Sequence, residues 1–231
     1  MQNNENFVQN QVEKDNPELL GMIMNPREQF ERIRENPKIV VALIVVTLLA
    51  LIAALFSFKG MEQILEAELG AVSEEEMMIL TIVAQISAVV TALFTPIVTV
   101  LISSAIYMLI AKIAQKDVTF KQLFSMFFYI AFINIGLSGF VNGFFSMFVK
   151  NANPKVALTS LNSIIGAEGV MGVLLSSIEV FSIWGIVLTA MGLQIVAQFS
   201  KGLAWGTVIA FYIISIGILI GLTMISQTVG V

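Results

Sequence analysis

Glu179 is the one ionisable side chain close to a stretch of sequence that could form the core of a membrane-spanning segment. A carboxylate at the middle of a bilayer is costly, so such a residue marks a functional site by default. Ser176 and Ser177 precede Glu179, however, and this favours a position in the first turn of a membrane helix near the outer surface. The positive end of the helix dipole stabilises a negative charge there, and a structural role is the preferred interpretation.

The residue types that the chain lacks exclude most catalytic chemistry. It contains no cysteine and no histidine, which removes thiolate nucleophiles, disulfides, thiolate metal sites and the commonest general base. The sequence also shows neither paired intramembrane acids nor the GxxxxGK[ST] motif of ATP-binding proteins. We therefore expect no catalytic residue, no cofactor and no metal site, and any coupling to ATP would belong to a partner.

The composition is that of a polytopic membrane protein. Of the 231 residues, 57% are hydrophobic and 12% are charged, with a mean hydropathy of +0.90, whereas soluble domains carry about 25% charge. The net charge of -4 offers no attraction for nucleic acid. The expected partners are the lipid bilayer and other integral membrane proteins, and a homo-oligomer is left open.

Five uncharged stretches predict an all-α fold with five transmembrane helices. Their limits are about 39–58, 77–111, 122–149, 178–200 and 205–225, so residues 39–225 form the membrane domain and 226–231 an external C-terminus. The second stretch contains no turn signal and predicts one long helix. It begins at a capping box of Ser73 and Glu76 and is kinked at Pro96, whose ring frees the carbonyl of Ala92.

The distribution of cations predicts the orientation in the membrane. Nine Lys and Arg residues lie in the N-terminal tail, in the loop 112–121 and at Lys201, against three in the alternate loops. This pattern predicts a plasma-membrane protein with a cytoplasmic N-terminus and an extracytoplasmic C-terminus. The first outer loop carries six glutamates and predicts an acidic surface helix over Met61–Leu69.

The N-terminal tail divides into a polar part and an amphipathic part. Residues 1–16 are polar and predict a disordered cytoplasmic segment, whereas 17–38 contain a helix. Asn25 as the N-cap and Pro26 at the first helical position predict a helix over Pro26–Glu35. Phe30 and Ile33 share one face with Pro26. That face either rests on the membrane surface or docks a cytoplasmic partner.

Hydroxyl groups recur every four residues along the second span. They are Ser87, Thr91, Thr95, Thr99 and Ser103. Each step of four residues drifts by about 40° around a helix, so the set does not form a straight stripe. We expect these groups to bond local carbonyls and to support helix packing rather than to line a pore.

Glycines and amides recur at the same spacing in the later spans. Asn134, Ser138 and Asn142 lie in span three beside the GxxxG pair Gly139 and Gly143, and span five contains the pair Gly217 and Gly221. Such pairs let helices approach closely, first within the bundle and alternatively at a lateral interface with another membrane protein. Gln194 and Gln198, one turn apart near the inner end of span four, can join helices but do not define a substrate site.

Three segments of the chain resemble the Yip family of five-span membrane proteins, which are named for interaction with Ypt/Rab GTPases in eukaryotes. The segments are Asn25-Pro26 through Phe30, Ile33 and Pro37; Val118-Thr119-Phe120-Lys121-Gln122-Leu123; and Glu179-Val180-Phe181-Ser182-Ile183-Trp184 leading to Met191-Gly192-Leu193. The tyrosine- and glycine-rich motif of the eukaryotic trafficking members is missing, as is the proline near Asn134, so Rab binding is not carried over. The chain is more similar to bacterial members, which accompany an ABC exporter as a separate membrane component.

The leading hypothesis is a non-enzymatic membrane adaptor that assists the assembly or action of an ABC-type exporter of a toxic peptide or small molecule. Its candidate interface residues are Pro26, Phe30, Ile33, Asn134, Gly139, Gly143, Gly217 and Gly221, and its intramembrane polar candidates are Glu179, Gln194 and Gln198. The alternative is a stand-alone small permease or channel that uses the polar faces of spans two and three. A membrane-embedded enzyme is the third hypothesis.

Overall fold

The computed structural model describes residues 16–70, 72–149 and 156–229. In these ranges the chain folds into helices, and the one β-type pairing found there is an isolated antiparallel bridge between Ser160 and Glu179. Of the segment 1–16 that is predicted to be disordered, residues 1–15 fall outside the described part of the chain. The predicted external terminus falls within it as far as residue 229, where the last helix ends.

The helices of the described ranges are numbered in chain order. They are α1 Gly21–Met24, α2 Pro26–Glu35, α3 Val40–Ser57, α4 Met61–Leu69, α5 Glu74–Ile113, α6 Phe120–Ala131, α7 Ser138–Ser146, α8 Asn162–Ile165, α9 Gly169–Ser177, α10 Val180–Ile195 and α11 Lys201–Val229. A 3-10 turn, Phe58–Gly60, joins α3 to α4, and a π-helical segment, Phe132–Leu137, joins α6 to α7.

Four helical segments of the described chain are long and apolar enough to cross a membrane. They are Val40–Gly60, Glu74–Ile113, Phe120–Ser146 and Lys201–Ser226. They correspond to the first, second, third and fifth predicted spans. The all-α class and these four membrane-type helices are therefore confirmed.

The fourth predicted span differs from the structure at its end. Helix α10 has 16 residues and stops at Ile195, so the expectation of a helix as far as Ser200 is wrong. Gln198 has a φ of 54°, and the N–H of Phe199 donates to the carbonyl of Leu193 at 3.0 Å. The chain therefore reverses before Lys201, where α11 begins. The cation-glycine pair at 201–202 opens the next helix and does not end this one.

Helix α5 confirms the prediction of a single long second span. It has 40 residues and continues through Pro96, and Ser73 and Glu76 form the predicted capping box. Ser73 Oγ accepts from the N–H of Glu76 at 3.3 Å, while Glu76 Oε2 accepts from the N–H of Ser73 at 3.1 Å. At about 1.5 Å per residue, the helix is about 60 Å long. The helix α4 at Met61–Leu69, before α5, also has the predicted bounds.

The tail helix α2 has the predicted bounds and packs on the chain's own bundle. Asn25 occupies the N-cap position, but its Nδ2 donates to Glu28 Oε2 at 2.6 Å and it makes no side-chain bond to the helix backbone. Phe30 and Ile33 are fully buried between α6 and α10. The face that was expected to meet lipid or a partner is therefore covered by the protein itself.

The docked tail lies close to a glycine of α10. A Cβ at Gly192 would lie 2.7 Å from Met126 Sδ and 3.0 Å from Phe30 Cε1. Three hydrogen bonds hold the adjoining chain. Tyr129 Oη donates to the Pro17 carbonyl at 2.9 Å, Gln122 Nε2 to the Arg34 carbonyl at 2.7 Å, and Ser125 Oγ to the Lys38 carbonyl at 2.6 Å. The tail therefore forms part of the folded membrane domain.

Candidate functional site

Glu179 is buried and serves as the N-cap of α10. It is 5% exposed, and its Oε2 accepts from the N–H of Ser182 at 2.6 Å. The sequence predicted a position inside the first turn of the helix, but Glu179 lies one residue before it. The cap satisfies one of the backbone donors that the helix leaves open, and the helix dipole favours the negative charge.

A hydrogen-bond network extends from Glu179 to α7. Thr159 Oγ1 donates to Glu179 Oε1 at 2.6 Å, and the N–H of Thr159 donates to Asn142 Oδ1 at 3.0 Å. Asn142 Nδ2 also donates to the Ser138 carbonyl at 2.9 Å. The network joins the segment before α8 to both α7 and α10. Thr159 was missed by sequence reasoning, because it lies in a loop 17 residues from Asn142 and 20 residues from Glu179.

The two GxxxG pairs have different surroundings. A Cβ at Gly139 would lie 3.2 Å from the Cβ of Ala53, and one at Gly143 would lie 3.1 Å from Phe56 Cδ2. This pair lets α7 pack closely on α3, as the bundle interpretation predicts. In contrast, a Cβ at Gly217 or Gly221 on α11 would have no described atom within 4 Å of it. The expectation that the second pair packs within the bundle is therefore wrong.

The five hydroxyls that recur every four residues along α5 do not bond the local carbonyls. None of the five forms a hydrogen bond within the described part of the chain, and four of them are exposed. The expectation that these five hydroxyls bond carbonyls of their own helix is therefore wrong. Another hydroxyl of α5 does so: Ser104 Oγ donates to the Val100 carbonyl at 2.6 Å. Thr99 and Ser103 face a cavity between helices.

This intramembrane cavity has a volume of about 260 Å³ and is formed by α5, α6 with the π-helical segment, α10 and α11. Its polar lining consists of hydroxyl, phenol and amide groups, contributed by Thr99, Ser103, Tyr107, Asn134, Ser182, Thr189, Tyr212 and Ser215. The cavity brings together Thr99 and Ser103 of span two and Asn134 of span three, which belong to the two polar faces named in the permease alternative. Tyr107 and Phe127 line the cavity with ring centroids 5.2 Å apart.

Asn134 projects into this cavity from the π-helical segment. A π-turn widens the helix locally, and such turns are frequent at functional sites. The Asn134 amide lies against Gly185 of α10, where any Cβ would overlap it. The side chain is exposed and makes no hydrogen bond within the described residues. It is therefore a free donor and acceptor at the wall of the cavity.

The two glutamines of span four serve separate contacts. Gln194 Nε2 donates to the Ala190 carbonyl of its own helix at 2.9 Å. Gln198 lies beyond α10, so the prediction of two amides one turn apart on one helix is wrong. In the amide orientation that satisfies both groups, Gln198 Oε1 accepts from the Arg34 guanidinium. This contact joins the end of α2 to the segment that follows α10. Pro26, at the other end of α2, is half-buried.

The fold and its buried polar network are those of a helical membrane protein. Among the residues described, no three or more metal-binding side chains form a cluster. The Yip1 domain matches residues 20–223, and the chain belongs to this family. It is similar to Membrane protein YknW of Bacillus subtilis (strain 168), with 29% identity over 215 residues, which cover 92% of this chain and 90% of that protein. No solved structure matches the chain. The resemblance to the Yip family is therefore confirmed.

The Glu179 network predicts a stability effect that can be measured. Glu179→Gln places a donor where the carboxylate accepts from two donors, so we expect about 1–3 kcal/mol lower stability. Thermal unfolding of the purified protein in detergent checks this. Glu168→Gln is the matched control, since Glu168 is also an N-cap but makes no side-chain cap bond. Equal unfolding temperatures for the two variants would contradict the structural role of Glu179.

Proposed function

We propose that this protein is a non-enzymatic adaptor of the plasma membrane that binds other integral membrane proteins and assists the assembly or action of an ABC-type exporter. The exporter would remove a toxic peptide or small molecule. Membership of the Yip1 domain family and the apolar helices support a membrane protein with no catalytic motif. The glycine pair of α11, against which no described part of the chain packs, is the observation that carries the adaptor role.

Helix α11 presents an apolar surface that the rest of the described chain leaves uncovered. Ile213, Ile214 and Ile218 are each about 60% exposed around the open backbone at Gly217 and Gly221. Helices in lipid associate through close van der Waals contact, which glycine permits because it has no side chain. A transmembrane helix of a partner protein fits this surface. Gly139 and Gly143 do not serve such a partner, because α3 already occupies their face.

The proposed topology has five spans, with α10 as the fourth. Helix α10 is only about 24 Å long by its residue count, but it packs against both α6 and α11, which are of spanning length. The beginning of α6 and the end of α10 lie together, since Gln122 and Gln198 both contact Arg34 of the tail. With the cation distribution, this arrangement supports a cytoplasmic N-terminus and an extracytoplasmic C-terminus.

The topology can be tested cleanly because the chain contains no cysteine. Ile164→Cys and Lys201→Cys introduce exposed thiols on the two sides of α10. We expect a membrane-impermeant maleimide to label Ile164→Cys in intact cells, and Lys201→Cys only after permeabilisation. The unmodified protein gives the background. Labelling of both positions from the same side would show that α10 does not cross the membrane.

The adaptor role predicts that larger side chains at the glycine pair of α11 weaken the binding of the partner. We expect Gly217→Leu with Gly221→Leu to reduce recovery of co-purified exporter subunits by about tenfold or more, because leucine side chains separate the helices. Purification from the native membrane in nanodiscs, followed by quantitative mass spectrometry, measures this recovery. Ala105→Leu, on the exposed face of α5, is the matched control and should leave recovery unchanged. Unchanged recovery in the glycine variant, or recovery of the protein alone, would contradict the proposal.

The second candidate is a stand-alone permease or channel, and the cavity that joins Thr99, Ser103 and Asn134 is the observation that favours it. The adaptor proposal predicts that liposomes containing the purified protein alone take up glycerol and urea no faster than protein-free liposomes. Stopped-flow light scattering measures this uptake. Flux that is lost in Asn134→Leu would instead favour the permease.

A further inference from the structure

The depth of the cavity places it inside the hydrocarbon region of the membrane. On α11 it extends from Val208 to Ser215, which are 7 and 14 residues after Lys201. At about 1.5 Å per residue, these positions lie about 10 and 21 Å from the start of the helix. In a hydrocarbon layer about 30 Å thick, whose midplane is about 15 Å deep, the cavity therefore crosses the midplane and extends about 6 Å into the other leaflet.

The two ends of the cavity differ in chemistry. The end nearer the start of α11 is aromatic, where the Tyr107 ring packs against Phe127 and Phe211 with centroids 5.2 and 6.1 Å away. The other end contains the Asn134 amide and the Ser103 hydroxyl. Neither of these two polar groups has a hydrogen-bond partner within the described chain. An occupant with an apolar body and one hydrogen-bonding group would match both ends.

The lining also limits the charge of the occupant. Every residue that lines the cavity is uncharged. A charged group at this depth would lose its hydration without gaining an ion partner, which is strongly unfavourable. Phospholipid headgroups, which remain at the membrane interface, are therefore poor occupants. An uncharged amide or hydroxyl can instead exchange hydrogen bonds with Asn134 as both donor and acceptor.

The cavity is accessible from the side, and its size limits the occupant further. Helices α5 and α11 line it but do not form an extended contact with each other, and Thr99, Asn134 and Phe211 are exposed. A molecule dissolved in the bilayer can therefore reach it. Its volume of about 260 Å³ corresponds to about ten non-hydrogen atoms, by comparison with a cavity of about 150 Å³ that holds benzene.

We propose that this intramembrane cavity is a binding site for a small uncharged amphiphile, whose one amide or hydroxyl group pairs with Asn134 and whose apolar body extends to the aromatic end. The site is separate from the α11 glycine pair and does not depend on the adaptor role. The cavity proposal and the adaptor proposal are therefore tested with different variants and different measurements, so one can fail without the other.

Photolabelling of the full-length protein in nanodiscs tests the site. The probe is octanamide carrying a diazirine on its alkyl chain, and labelled peptides are mapped by mass spectrometry. Labelling of the cavity-lining segments should be displaced by unlabelled octanamide. Nonane, which has no polar group, and octanoate, which is ionised at slightly alkaline pH, should each compete about fivefold to tenfold less well at equal bilayer concentration, because they lack the neutral hydrogen-bonding group.

Two variants separate the polar contact from the fold. Asn134→Leu should reduce cavity labelling by about fivefold to tenfold, as expected for the loss of a hydrogen bond. Thr99→Val removes a lining hydroxyl without changing the side-chain shape and should reduce labelling by about twofold or more, whereas Thr95→Val, on the same helix but outside the cavity, should not. Thermal unfolding of each variant reports whether the fold is retained.

Three results would overturn the proposal. Equal competition by nonane and octanamide would show that the cavity takes up apolar chains without recognition of the amide. Equal competition by octanoate would show that an uncharged group is not required. Labelling that is unchanged in Asn134→Leu, or that is concentrated on the lipid-facing side of α5, would remove the assigned site.

Discussion

In the hydrocarbon layer, each polar group needs a partner from within the protein, because the surrounding lipid offers none. Most polar side chains of the membrane helices meet this requirement. Thr189, Thr207 and Ser215 donate to carbonyls four residues earlier in their own helices. At the beginning of α10, Glu179 supplies the acceptor that the helix N-terminus lacks. The architecture therefore depends on internal pairing, and the exceptions within the described chain include hydroxyls along α5 and the Asn134 amide on the cavity wall.

The same constraint explains how the tail becomes part of the membrane domain. Chain segments before α3 supply carbonyl acceptors to Gln122, Ser125 and Tyr129 of α6. The fully buried Phe30 and Ile33 add an apolar contact on the other side of the same segment. An amphipathic helix near a membrane can rest on lipid, but here a glycine on α10 leaves room for it against the protein.

Sequence reasoning succeeded where a local rule decides the outcome. Uncharged length predicted the long helices, the Ser73–Glu76 pair predicted the beginning of α5, and the two prolines around α2 predicted its bounds. It failed where the partner of a residue is distant in the chain. The end of α10 depends on a left-handed Gln198 that contacts Arg34, and Thr159 acquires its role from Asn142 and Glu179. Equal GxxxG spacing could not separate Gly139, which faces α3, from Gly217, which faces outward.

The length of α5 has a consequence for the lipid around the protein. Large apolar side chains are exposed on it from Met78 to Ile113, a distance of about 50 Å along the helix axis. A bilayer with about 30 Å of hydrocarbon can cover that surface only if the helix tilts strongly or the lipid thickens around it. Each ångström of such mismatch costs a fraction of a kcal/mol. Longer acyl chains relieve this cost, so the membrane thickness of a compartment influences where the protein is most stable.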